Sequence, residues 1–420
     1  MCHDTMNERE WSRRGFLKGG SLAVFGITLG GIPPFIAKAA TMPLRSNALS
    51  RKKTVVTIFQ RGAMDGLAAV QPMENTFLKS VRPNLFLDSK NKTEQLLPLV
   101  DGYGLNPYLG ALKPLFDKGQ MNIVHGVGLP IENRSHFDMQ DFMESGTPGV
   151  KSTSDGWINR SLKRPVSQNA SPFRAVALSP SRPRIFYGNT PTLAVERLQD
   201  LRFDQQLVTD EALNGIGEQY KKEQNERFRN AGKNGLEAIK LLRSIDLETP
   251  KQTSYPNSTL GSGLQQIAQL IKAQVGLEVA FAESTGWDTH SRQPTKNGAF
   301  ARNAQDLASA MAAFWEDIST YQDDVVVMTM TEFGRTTRQN GALGTDHGSG
   351  SCQFILGNNL DQHYLHHNLK EINEGTCERE LPVTTDVRSV FSTVLSEHLN
   401  ISASGTFPDF VPQQLSLFKP

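Results

Sequence analysis

A doubly wound α/β fold, with a mostly parallel sheet covered by helices on both faces, is the class this sequence predicts. Two observations carry it. Short β-branched runs alternate along the chain with stretches of helical periodicity, the pattern of strand–helix–strand crossovers. The runs are mostly apolar rather than alternating, as buried parallel strands are.

The first strand is Thr54 to Phe59 (TVVTIF), which runs into Gln60-Arg61-Gly62-Ala63-Met64-Asp65-Gly66, an acid close to two glycines. Met121 to Val124 is the next candidate, leading through HGVGLP to Arg134-Ser135-His136-Phe137-Asp138. Ser135, with Asp138 three residues on, has the character of a helix N-cap. Ala175 to Leu178 is a further strand candidate. From about 197 to 262 the chain turns polar and charge-mixed, with helical spacing in QYKKEQNERFRNAGKNGLEAIKLLRSI, and is expected to be a helical insertion beside the sheet. Leu264 to Gln274 continues in helical spacing, and Leu277 to Ala282 (LEVAFA) is a strand followed by Glu283-Ser284-Thr285-Gly286-Trp287-Asp288-Thr289-His290. The spacing predicts a long helix over Phe300 to Tyr321, which delivers the chain to the strand Val325 to Met330 and then to Thr331-Glu332. Asp346-His347 sits in a Gly-rich loop just before the last strand, Gln353 to Leu356.

The N-terminus is of another kind. Residues 12 to 20 read SRRGFLKGG, a twin-arginine pair followed by a Gly-rich apolar stretch to Ile36, and Ala37-Lys38-Ala39 offers small residues for a signal peptidase. Residues 1–39 therefore read as a twin-arginine signal, removed to leave a single α/β domain over 40–420 in the periplasm or secreted. Its expected partners are the twin-arginine export machinery and signal peptidase, with no stable membrane span in the mature chain. The formal charge of +1 leaves no basic footprint for nucleic acid. Cys352 and Cys377 remain after cleavage; an oxidising compartment permits one disulfide without requiring it, and their spacing fits no zinc motif.

Open α/β sheets bind ligands beyond the carboxyl ends of their strands. Asp65, Asp288, His290, Glu332, Asp346 and His347 all fall there, and carboxylates with imidazoles are the donors used by zinc, manganese or magnesium. Ser135, at a helix N-terminus, is placed like a nucleophile or an anion-facing residue, and equally like a plain cap. Arg61, Arg134 and Arg335, with Arg338, are candidates to hold an oxyanion, or else loop-stabilising ion pairs. Each feature alone also has a structural reading: turn for Asp65 and for Asp288 to His290, ion pair for Glu332.

The blocks IFQRGAMDGL, NRSHFDMQDFMESGTPG with GWINR, STGWDTH, and TEFGRTTRQN with GTDHGSG resemble the bacterial domain-of-unknown-function family fifteen-oh-one. That family is grouped with the alkaline phosphatase, sulfatase and phosphoglycerate mutase superfamily. The resemblance implies a doubly wound fold with a two-metal centre, in which Asp65 stands for the first-strand metal aspartate, Ser135 for the nucleophile, and Asp288 with His290 for the next ligand pair. Two alignments compete for the rest. Asp346-His347 is the paired Asp-His of the superfamily, or Glu332-Phe333 takes that place and His347 is the late histidine; the second is preferred because the pair follows its strand directly. Either way one imidazole is lost, so one ion, two unequal ions or none are all open, and His136 beside Ser135 is available to compensate. The expectation is an exported metal-dependent hydrolase of a small anionic phosphate or sulfate ester, with a binding or structural protein carrying a degenerate site as the alternative.

Overall fold

The computed structural model describes residues 52–88, 94–163, 171–201, 208–245, 254–294, 297–361 and 364–419. The expected signal, residues 1–39, lies outside them. In chain order the strands are β1 (Thr54–Gln60), β2 (Val70–Pro72), β3 (Leu97–Pro98), β4 (Tyr103–Leu105), β5 (Met121–Gly128), β6 (Ala175–Leu178), β7 (Leu193–Val195), β8 (Val279–Ser284), β9 (Val325–Met330), β10 (Ser351–Leu356), β11 (Leu365–His366) and β12 (Thr385–Asp386). Among the described residues the main sheet has nine strands in the order β11-β5-β10-β9-β1-β8-β6-β7, with β12 also paired to β5. Strands β2, β4 and β3 form a small separate sheet.

All seven residues of β1 are buried because the strand is covered on both sides. Val56 and Ile58 join one apolar core and Val55 and Phe59 the other, so apolar residues occupy both faces, with the buried Thr57 between them. Full burial of each such aliphatic side chain contributes roughly 1.5–3 kcal/mol. The helices Thr259–Lys272 and Ala299–Asp317 pack on the first face through Leu264, Ile267, Leu307 and Met311. The second face is covered by His136–Ser145 and Val387–Thr393 through Met139, Phe142, Val390 and Phe391. The segment read as an insertion holds the helices Asp210–Lys222 and Glu226–Ser244, and its last residues begin Thr259–Lys272.

Parallel pairing of β1 with β8 and β9 puts the ends of these three strands on one edge. Strand β10 runs antiparallel to both β9 and β5, so β5 also ends there and β10 starts there. No local pattern in the sequence marks that reversal. It brings the loop before β10 to the same edge as the loops after β1, β5, β8 and β9. Strand β5 extends to Gly128, beyond the expected Val124, and β8 runs to Ser284, so Glu283 and Ser284 belong to the strand rather than to the loop after it. Cys352 and Cys377 are both buried free thiols. Among the described residues no helix is long and apolar enough to cross a membrane.

Candidate metal centre

Four of those loops converge. His136 is the first residue of the helix His136–Ser145, which Ser135 caps by accepting the Asp138 N–H at 3.4 Å and Gly146 ends in a left-handed conformation at φ 68°. Asp288 and His290 follow β8, Glu332 follows β9, and Asp346-His347 precedes β10. His136 Nε2 lies 3.0 Å from His347 Nε2, which in turn lies 2.8 Å from His290 Nε2. The Asp288 carboxylate stands among them, with Oδ2 3.5 Å from His136 Nε2 and Oδ1 3.1 and 3.4 Å from the Nε2 atoms of His290 and His347. His136, Asp288 and His347 each offer an atom within 4.8 Å of the others, a spacing that suits one metal ion.

The opposite nitrogen of every ring is already engaged. His136 Nδ1 donates to Glu332 Oε1 at 2.8 Å, His290 Nδ1 to Asp346 Oδ1 at 3.0 Å, and His347 Nδ1 to the Arg134 carbonyl at 2.8 Å. Carboxylates and carbonyls only accept, so these bonds place the single proton of each neutral imidazole on Nδ1. Three bare Nε2 lone pairs then face one another and a carboxylate. Such a set repels itself until a cation enters, and orienting His ligands through the distal nitrogen is how metal sites are built. The donors fit a divalent ion.

The electrostatics follow from the same bonds. Burial works to raise the Glu332 carboxyl, but the bonds from His136, Gln140 and the Gly62 N–H outweigh it and hold it below its ordinary value. Glu332 in turn raises His136. Burial lowers His347. For Asp288 burial is again overcome, here by Arg335, whose Nη2 is 2.5 Å from Oδ1, and the carboxyl ends below its usual range. Bonds from Asn340 and His290 lower Asp346. The side chains of Asp288 and His290 are 45% and 43% exposed, so the cluster opens to solvent on one side, as a site that must admit a ligand does.

Two glycines permit this convergence. A Cβ on Gly62, whose φ is +113°, would lie 2.5 Å from the Asp288 nitrogen, and one on Gly344 would lie 2.3 Å from the His290 carbonyl.

The family search bears on this site. A family model described as "Protein of unknown function (DUF1501)" matches residues 118–398. The chain belongs to this family. The DUF1501 match takes in every residue of the cluster and ends at His398, while Arg61 and Asp65 precede it. No curated protein matches the chain. Among solved structures, the PH0037 protein from Pyrococcus horikoshii is similar at 12% identity, over 75% of this chain and 91% of that one, with a TM-score of 0.29.

The remaining site candidates of this DUF1501 chain are placed elsewhere or in other roles. Asp65 is 1% exposed and paired with Arg82, not gathered into the cluster. Glu332 and Asp346 stand behind the imidazoles rather than among the converging atoms. Ser135 spends its hydroxyl on the helix cap. Arg61 is held by Glu283, Gln140 and Glu144. Arg134 pairs with Glu380, and Arg335 donates to the carbonyls of Gly62, Ala63, Trp287 and Thr345 as well as to Asp288. Arg338 pairs with Glu374. Of the guanidinium groups expected to grip an oxyanion, Arg61 and Arg335 are thus committed to the protein, whereas Arg134 and Arg338 make only exposed ion pairs. His136, offered by the sequence only as compensation for a lost imidazole, is the converging residue outside the assigned set; its local signal is adjacency to a capped helix start.

Proposed function

We propose that this protein is an exported, metal-dependent hydrolase of small anionic phosphate or sulfate esters, on an alkaline phosphatase-like sheet. The observation that carries the reading is the convergence of three Nε2 atoms and the Asp288 carboxylate with all three Nδ1 protons engaged elsewhere. A set of three imidazoles and one carboxylate suits zinc, with manganese next, and is a poor match for magnesium, which prefers oxygen ligands throughout. When bound, such an ion supplies Lewis-acid polarisation and lowers the pKa of a coordinated water.

The chain's own residues set the rest. His136, Asp288 and His347 would hold the ion, with His290 beside them, and Glu332, Asp346 and the Arg134 carbonyl fix the ring orientations. The exposed side of Asp288 and His290 is the approach for substrate. With Arg61 and Arg335 committed to internal acceptors, the negative charge of the ester is met by the centre itself, with Arg134, paired to Glu380 at the surface, close to His136 in sequence. Ser135 keeps the helix start, and with it His136, in place. Export rests on the twin-arginine pattern of residues 12–20.

The test is metal content and ester turnover on mature protein purified from the periplasm. Near-stoichiometric zinc with hydrolysis of p-nitrophenyl phosphate or sulfate, both lost in His136→Ala/His347→Ala, is the expected result. Unchanged turnover in that variant would sink the reading. A second reading, a metal-holding binding protein without chemistry, is favoured by the committed arginines; bound zinc with no turnover of either ester would decide for it.

A further inference from the structure

Asp65 leaves β1 on the edge that carries the cluster, yet its carboxylate is already saturated inside the protein. Oδ1 accepts the Ala68 N–H at 3.0 Å and Oδ2 accepts Gln293 Nε2 at 2.6 Å. Arg82 Nη1 lies 3.4 and 3.2 Å from the two oxygens. Arg82 is 0% exposed, and its Nε and Nη2 donate to the carbonyls of Thr337 and Thr336, each at 2.7 Å. A positive charge therefore sits permanently beside this carboxylate, anchored at three nitrogens. A divalent ion at Asp65 would have to displace a fully buried guanidinium, leaving two buried carbonyls unpaired.

Gln293 gives Asp65 a different task. The amide is 1% exposed, and because a carboxylate cannot donate, Nε2 must face Asp65 and Oε1 the other way. There Oε1 accepts Thr289 Oγ1 at 3.0 Å and Thr345 Oγ1 at 2.6 Å. Thr289 lies between Asp288 and His290, and Thr345 precedes Asp346-His347. The backbone joins the same two loops, Thr345 N–H donating to the Thr289 carbonyl at 3.1 Å. Both ligand loops thus meet on one side-chain amide, whose far end is fixed by the Asp65–Arg82 pair.

Resting on the metal-centre reading above, we infer that the centre is mononuclear: Arg82 takes the place of a second cation at Asp65, and the Asp65–Gln293 pair is a positioning device that spaces Asp288 and His290 from His347. The resemblance to two-metal enzymes does not extend to this carboxylate.

The experiment titrates the demetallated full mature chain with ZnCl2 by calorimetry, and with CoCl2 while following the visible d–d bands, in wild type, Asp65→Asn and Gln293→Met. One ion per chain is expected in all three. Gln293→Met is expected to bind about 10–100-fold more weakly, the usual cost of losing a partner behind a ligand, and to shift the cobalt bands. A purely structural role would lower the melting temperature of the metal-free chain and leave the bands in place. The Gln293 variant, which keeps the Asp65–Arg82 ion pair, serves if Asp65→Asn does not fold. Two ions in wild type, or loss of an ion in Asp65→Asn, would overturn the inference and leave the metal centre standing. Wild-type affinity and bands in Gln293→Met would overturn the positioning role. No ion in wild type would remove the proposed function along with it.

Discussion

His136 presents Nδ1 to Glu332 Oε1 at 2.8 Å, and Glu332 is 0% exposed. A carboxylate so deep persists as an anion only because the Gly62 N–H and Gln140 Nε2 also donate to the same oxygen, each at 2.8 Å. Gln140 is oriented by Arg61, which donates to its Oε1 at 2.9 Å, so the imidazole stands at the end of a chain of bonds that passes through its own helix about one turn on. Glu332→Gln keeps the volume and loses the charge. Zinc affinity, measured by competition with a coloured chelator, is expected to fall about 10–100-fold. Wild-type affinity in the variant would detach Glu332 from the centre.

Neighbouring residues at the helix start make a sharper pair. His136→Ala removes a donor and is expected to abolish stoichiometric zinc and the melting-temperature rise that zinc confers, since an ion stabilises only the state that binds it. Ser135→Ala removes a long 3.4 Å cap bond and is expected to cost about 0.5–1 kcal/mol in urea unfolding, with zinc content and ester turnover kept. Loss of turnover in a zinc-loaded Ser135→Ala protein would restore a nucleophile's role to this hydroxyl.

The contrast between these two residues shows what was legible in the sequence. A cap is a local pattern, three residues wide, and Ser135 with Asp138 displays it. His136 joins the cluster only through Glu332 and His347, which lie 196 and 211 positions away, and no local pattern encodes that. The same holds for Asp65: an acid among glycines after a strand reads alike whether it awaits an ion or, as here, meets an arginine 17 residues on. Strands β1, β6 and β9 are readable because burial on both faces makes them largely apolar runs. Strands β7, β11 and β12, two or three residues long, are defined by their partners and carry no such run. The direction of β10 is likewise a tertiary fact. Its consequence is large, since only an antiparallel strand brings the residues before it, His347 among them, to the edge where the other strands end.

Arg82 and Asp65 form a pair with side chains 1% exposed on both sides. Removing one member leaves the other's charge buried, which typically costs 3–5 kcal/mol. Arg82→Leu is therefore expected to destabilise the metal-free chain by about that much in urea unfolding, and Arg82→Leu/Asp65→Leu by clearly less. Equal losses in the single and double variants would mean that the pair's electrostatics are incidental to its packing.

Acid should unfold the chain through two histidines remote from the centre. Burial pushes His125 and His398 down to about 4. His125 is satisfied as a neutral ring, with Nε2 donating to the Val70 carbonyl at 2.8 Å and Nδ1 accepting the Gly126 N–H at 2.9 Å, so a second ring proton would confront a donor. His398 Nε2 shares its proton between the carbonyls of Thr54 and Asp324 at 3.1 and 3.2 Å. The unfolded chain protonates both rings near the ordinary 6.5, whereas the folded chain does so only near 4. Between those values the unfolded state holds more protons, so stability falls as pH falls from about 6.5 to about 4 and recovers nothing below it, each ring contributing a loss of roughly 3 kcal/mol. Urea unfolding of the metal-free chain at steps across this window is expected to show that slope, and His398→Gln to remove its share of it. A slope unchanged in His398→Gln would mean that this ring titrates alike in the folded and unfolded chains.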